Sequence, residues 1–165
     1  MITLPSGYPT DLVAAFDLLK TRKRLGLDEL KVLALVESAG ELLYQGLARG
    51  ARNEEARKLL NRTGQEERGH AHRILKALQL LSGETMELPT AADNPLAAAV
   101  PHEIPLSASF LDMLEKAEFD GDGHYQAWAA AEPDARVASL LKQNGAEESR
   151  HGERARQVRG LEGFG

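Results

Sequence analysis

The sequence predicts an all-α protein: a four-helix bundle of two duplicated helical hairpins with a long crossover, plus a short N-terminal helix. Three observations predict it. Apolar residues recur at intervals of three and four while β-branched and aromatic residues are few, the pattern of amphipathic helices rather than strands. Caps and breakers divide the chain into one short and four longer segments. The sequence also matches itself at an offset of 81 residues.

The elements follow in order. Thr10, after Pro9, is a candidate N-cap for a short helix ending near Gly26, and Asp28 for a second helix ending near Gly50. Asn53 caps a third, which carries Leu59, Leu60, Ile74, Leu78 and Leu81 and stops near Ser82 and Gly83. Residues 83–107 are rich in proline and glycine with little amphipathic pattern, as expected of a connector. Ser107 caps a fourth helix through about Ala131; Pro133 breaks the chain and starts a fifth, to roughly Arg159. The reading is one domain, 1–165: an N-terminal extension (1–27), a first hairpin (28–82), the crossover (83–107), a second hairpin (108–159) and a frayed tail (160–165).

Composition narrows the function. With 165 residues, 42% apolar and 27% charged, the chain suits one globular domain. A net charge of −5 without a dense Lys/Arg cluster argues against nucleic acid and against an anionic membrane surface as partners. There is no cysteine, so disulfides, thiolate metal sites, cysteine nucleophiles and iron–sulfur clusters are excluded, and any metal must take O and N ligands. Met1–Thr10 lacks a basic start and an apolar core, so it does not read as a secretory signal, and no apolar run is long enough to span a bilayer. A cytoplasmic location is the expectation.

The self-match carries the chemistry. At the 81-residue offset Glu37 falls on Glu118, Tyr44 on Tyr125, Glu66-Glu67 on Glu147-Glu148 and His70 on His151, with Leu30, Leu33, Gly40, Leu59-Leu60 and Gly64 also matched. Each half reads Glu, six residues, Tyr, then Glu-x-x-His, and 30 positions separate Glu37 from Glu67 and Glu118 from Glu148. Residues at i, i+3, i+4 and i+7 share a helix face, so Glu37 lies on the stripe Leu30, Leu33, Glu37, Tyr44, which points inward. The other segments repeat this with Leu60, Thr63, Glu67, His70, Ile74; with Leu111, Leu114, Glu118, Tyr125; and with Leu141, Glu148, His151, Val158. Burying one ionised carboxylate costs several kcal/mol, so four without compensation exceed a typical total stability of about 5–15 kcal/mol. No Lys or Arg is expected on these stripes at the matching level, whereas two divalent cations balance four carboxylates and accept both imidazoles.

From Asp28 to Arg159 the chain resembles the ferritin-like di-iron and di-manganese carboxylate proteins, which take one Glu from each of two helices and Glu-x-x-His from each of two others. Within them it resembles the rubrerythrin branch most. That resemblance implies that Glu67 and Glu148 bridge two metals, that Glu37 with His70 and Glu118 with His151 each complete one, and that Tyr44 and Tyr125 lie behind the ligands. The chain departs from rubrerythrins in having no cysteine, hence no attached rubredoxin module, and in carrying Gly121 where a Glu is expected three residues after Glu118.

A lone Glu-x-x-His is ordinarily surface charge; its duplication at matched spacing favours the metal reading. The bland alternative is a vestigial pattern without metal. His72, His102 and His124 are expected to be solvated, His72 lying about 200° around the helix from His70. Trp128 is expected in the core. Glu41 and Asp122, four residues after Glu37 and Glu118, are either partly solvated acids at the mouth of the site or additional metal ligands. Carboxylates with imidazole and no sulfur suit two iron ions or manganese, while the affinity order lets zinc substitute during purification.

The resemblance implies an oxidoreductase, a peroxidase or ferroxidase, that reacts with O2 or hydrogen peroxide and draws on an external electron donor. A di-iron hydroxylase acting on an organic substrate and a metal-binding or storage bundle without turnover are the alternatives. The assembly is compatible with a homodimer.

Overall fold

Local capping chemistry sets where each of five helices begins in the computed structural model, which describes all residues from Met1 to Gly165 and contains no strand. Helix α1 (Leu12–Lys20) is capped by Asp11, whose carboxylate accepts from the Ala14 N–H, one residue later than the sequence suggests. It stops well before Gly26 because the Thr21 N–H and hydroxyl both turn back onto the Leu18 carbonyl, and the chain then delivers Leu25 to the core. Helix α2 (Leu27–Gly50) starts at Gly26 rather than Asp28: the Glu29 carboxylate accepts from the Gly26 N–H at 3.0 Å. Asp28 instead sits in the first turn, where its charge meets the positive end of the helix dipole.

Helix α3 (Glu54–Ser82) is capped by Asn53, which accepts from the Glu55 and Ala56 N–H groups. It ends on Gly83, whose φ of +77° is the left-handed conformation that glycine adopts without a Cβ penalty. Helix α4 (Ala108–Ala131) is capped by Ser107, and α5 (Ala135–Leu161) by Asp134, directly after Pro133.

Short connections make α2 and α3, and likewise α4 and α5, antiparallel neighbours, and α3 also packs on α5. The crossover runs lengthwise along α2. The Asn94 amide donates to the Leu35 carbonyl at 2.9 Å, and farther along the Ile104 N–H donates to the Gly46 carbonyl at 3.0 Å. The approach is so close that a Cβ on Gly50 would stand 1.9 Å from the Ile104 carbonyl oxygen, so this face of α2 must be bare. No helix is long and apolar enough to cross a membrane.

The core divides into two apolar clusters. The larger, of 20 buried residues, includes Leu30, Leu33, Ile74, Leu78, Trp128 and Leu141 and takes in Ala15 and Leu19 of α1. The smaller, of 10, includes Tyr44, Leu47, Leu60, Leu111, Leu114 and Val158. Each fully buried leucine or isoleucine contributes roughly 1.5–3 kcal/mol. Two such clusters hold the helices at fixed separation around the polar residues that share their stripes. Trp128 is buried and donates from its indole N–H to the Arg22 carbonyl.

The tail is tied down rather than frayed. Glu162 is buried, accepts from the Asn53 N–H at 2.8 Å and pairs with Arg52, which also lies over the Phe164 ring. The polar anchor lies on the α2–α3 turn, far away in sequence.

Candidate metal centre

The inward stripes bring Glu37, Glu67, His70, Glu118, Glu148 and His151 together. His70 and His151 are fully buried, and Glu118, the most exposed of the six, is at 9%. Their donor atoms form two groups: Glu37, Glu67, His70 and Glu148; and Glu67, Glu118, Glu148 and His151. Glu67 and Glu148 belong to both. Within each group the four donor atoms lie within 4.8 Å of one another. An ion with N and O ligands at about 2.0–2.2 Å places opposite donors about 4 Å apart, so each group has the dimensions of a first coordination shell. The two imidazoles stack, with ring centroids 5.1 Å apart and planes 16° from parallel.

The ring nitrogens divide into an inner and an outer set. His70 Nδ1 lies 3.2 Å from Glu148, 3.5 Å from Glu37 and 3.7 Å from Glu67, yet it is aligned for a hydrogen bond with none of them. His151 Nδ1 is likewise buried without a hydrogen-bond partner, 3.0 Å from Glu67, 3.5 Å from Glu148 and 3.8 Å from Glu118. Two orphaned buried nitrogens facing four carboxylates fit a pair of cations seated among them. On the outer side His70 Nε2 donates to Glu147 at 2.9 Å and His151 Nε2 to Glu66 at 3.1 Å.

Other contacts cross between the hairpins. The Tyr44 hydroxyl of α2 donates to Glu118 on α4, and the Tyr125 hydroxyl of α4 donates to Glu37 on α2. Asn144 donates to the Tyr125 oxygen at 3.2 Å. Arg73 on α3 binds Glu147 on α5, and Arg154 on α5 binds Glu66 on α3 through both terminal nitrogens, at 2.7 and 3.0 Å. The inward face of α5 therefore does carry a buried arginine, Arg154, contrary to the expectation that none would lie at this level. It neutralises Glu66, behind His151, and makes no ion pair with the four inward carboxylates.

The electrostatics of the metal-free chain show strain that cations would relieve. Burial, and then repulsion from Glu148 and Glu37, push the Glu67 carboxyl well above the ordinary carboxylate range. Burial and the adjacent Glu148 push Glu118 up to about 8. Burial works against the charge of Glu148, but the adjacent Glu118 carboxyl and the two imidazoles beside it outweigh that and hold the group low. Burial also opposes charging of His70 and His151, yet the surrounding carboxylates raise both well above the usual imidazole range. The hydrogen bond from His70, opposed by burial and reinforced by Arg73, draws Glu147 down to about 2. Burial opposes ionisation of Glu66, but His151 and Arg154 hold it low. Burial and neighbouring carboxylates push both tyrosine hydroxyls up, so they remain neutral donors.

Glu41 and Asp122 join neither group. Glu41 accepts from Gln45 and lies 3.9 Å from Arg68; Asp122 accepts from Ser149 at 2.5 Å and from Gln126 at 2.9 Å. His72 and His102 are exposed, and His124 is half-buried against Trp128. Gly121 faces Glu148; a Cβ there would stand 3.6 Å from the Glu148 Cγ. Sequence reasoning passed over Glu66, Glu147, Arg73 and Arg154 as parts of the site. The signal was available, because both segments read Glu-Glu-x-x-His-x-x-Arg and the arginines match at the same 81-residue offset.

A model of the rubrerythrin family matches residues 30–159. No curated protein and no solved structure matches the chain significantly.

Proposed function

Since the chain belongs to the rubrerythrin family, we propose that Glu37, Glu67, His70, Glu118, Glu148 and His151 hold two iron ions and that the loaded protein is an oxidoreductase consuming hydrogen peroxide or O2. The observation that carries this reading is the pair of buried, unpartnered Nδ1 atoms facing carboxylates shared by two donor groups. Glu67 and Glu148, common to both groups, would serve both ions, while Glu37 with His70 and Glu118 with His151 would each serve one. Manganese fits the same donors, and zinc can fill them without redox chemistry.

A pair of iron ions held by these six residues would supply the two electrons that peroxide reduction takes. Reduction of hydrogen peroxide to two waters also takes two protons, and a reductant outside this chain must restore the electrons. The residues of the protein provide the setting. Tyr44 and Tyr125 orient Glu118 and Glu37 by donating to them, and the apolar clusters exclude bulk water from both sides. A surface pocket of about 370 Å³ is lined by Ser38, Glu41, Arg68, His72 and Glu87, among others, and includes none of the six donors.

The test is anaerobic addition of hydrogen peroxide, and separately of O2, to the reduced, iron-loaded protein, with oxidant consumption measured per chain. Consumption faster than that by free iron, and lost in His70→Ala with His151→Ala, is expected. Full iron loading with no consumption of either oxidant would support the storage alternative.

A further inference from the structure

We propose that Glu66 with Arg154, and Glu147 with Arg73, are positioning pairs, each of which aims the imidazole Nδ1 of the opposite helix at one metal; this rests on the two-metal reading above. The observation is reciprocal. Glu66 stands beside Glu67 on α3 but binds His151 of α5, and Glu147 stands beside Glu148 on α5 but binds His70 of α3. Each helix thus supplies donors to the centre and also the acid that orients the other helix's histidine.

The orientation follows from hydrogen-bond capacity. An ionised carboxylate only accepts, so Glu66 and Glu147 place the N–H on Nε2 and leave the Nδ1 lone pair for an ion. A free carboxylate on a helix can adopt several rotamers and lose this alignment. Arg154 and Arg73 remove that freedom. Arg154 grips both oxygens of Glu66 and is steadied by Thr63 Oγ1 at 3.3 Å, while both terminal nitrogens of Arg73 bind one oxygen of Glu147. The residues form no ion pair with Glu37, Glu67, Glu118 or Glu148, so their effect on bound metal must pass through the histidines.

The assignment is one-sided for each pair, because His151 belongs to one donor group and His70 to the other. Removing Glu66 alone would leave Arg154 buried and unpaired, so the informative variant is Glu66→Leu with Arg154→Leu, which removes both charges. Zinc is the probe, since it is diamagnetic and needs no redox partner. Zinc affinity is measured by competition with a chromophoric chelator, alongside the ¹⁵N signals of the histidine rings. Two zinc ions per wild-type chain are expected. In the variant one should bind about 10–100-fold more weakly, with the His151 ring signals moved and those of His70 unchanged. Glu147→Leu with Arg73→Leu should give the mirror result.

Should a double variant lose its helical circular dichroism, Glu66→Gln keeps the shape and is read for the same one-sided loss. Equal weakening of both ions, or no change at either, would overturn the positioning role. A wild-type chain that takes up no zinc would instead overturn the two-metal reading itself.

Discussion

The Tyr44 hydroxyl, on the first hairpin, donates into the carboxylate of Glu118 on the second, and neither side chain has a comparable partner on its own helix. The contact joins the two halves of the bundle at the level of the clustered carboxylates and imidazoles. Tyr44→Phe leaves a buried Glu118 oxygen without its donor, a loss of about 1–3 kcal/mol in the metal-free protein. Urea unfolding without metal measures this. Unchanged stability would mean that Glu118 finds another donor and that the cross-hairpin bond is not needed to hold it.

Protein purified from iron-supplemented cells is expected to carry close to two metals per chain, and His70→Ala with His151→Ala to abolish that load. Elemental analysis against protein concentration checks it. A full load in the double variant would remove both imidazoles from the donor set.

Glu41→Ala with Asp122→Ala is expected to leave metal stoichiometry and the absorption and Mössbauer signatures of the oxidised site unchanged. The acids are already engaged, Glu41 with Gln45 and Asp122 with Ser149 and Gln126. An altered signature would make them ligands in at least one oxidation state.

Stability should respond to chelation and to pH together. Metal at a thousandfold excess over its dissociation constant adds about 4 kcal/mol, so chelation near pH 7.5 should lower the melting temperature clearly. In the metal-free chain Glu118 rises from 4.5 to about 8, and Glu67, His70 and His151 are raised as well. A raised folded pKa means that the native state binds a proton the unfolded state has released. For Glu118 that stabilisation is complete below about 4.5 and is lost as pH rises through about 8. Glu147, drawn from 4.5 to about 2, acts in reverse, its contribution being present above 4.5 and lost in acid. Glu66 and Glu148, also held low, act with it. The metal-free protein is therefore expected to melt at a higher temperature near pH 5.5 than near pH 8, and to weaken again below about pH 4. Differential scanning calorimetry across that range checks it; a flat profile above pH 5 would mean that the carboxylates do not repel one another in the core.

Much of this protein is written in local spacing. Helix periodicity and caps depend on residues three or four apart, so the helical segments and the inward placement of Glu37, Glu67, Glu118 and Glu148 can be read from the chain itself. Capping details already depend on competition among neighbours, and Glu29 reaching back to Gly26 displaced Asp28 from the cap. What only the tertiary structure decided is who meets whom across helices. Glu66 and Glu67 are adjacent in sequence, yet successive residues point about 100° apart around a helix. One therefore enters the donor groups while the other lies behind a histidine on another helix. Antiparallel packing of α3 on α5 sets Glu66 opposite His151 and Glu147 opposite His70. It also gives Arg154, a charged residue in a buried stripe, the carboxylate that makes its burial tolerable.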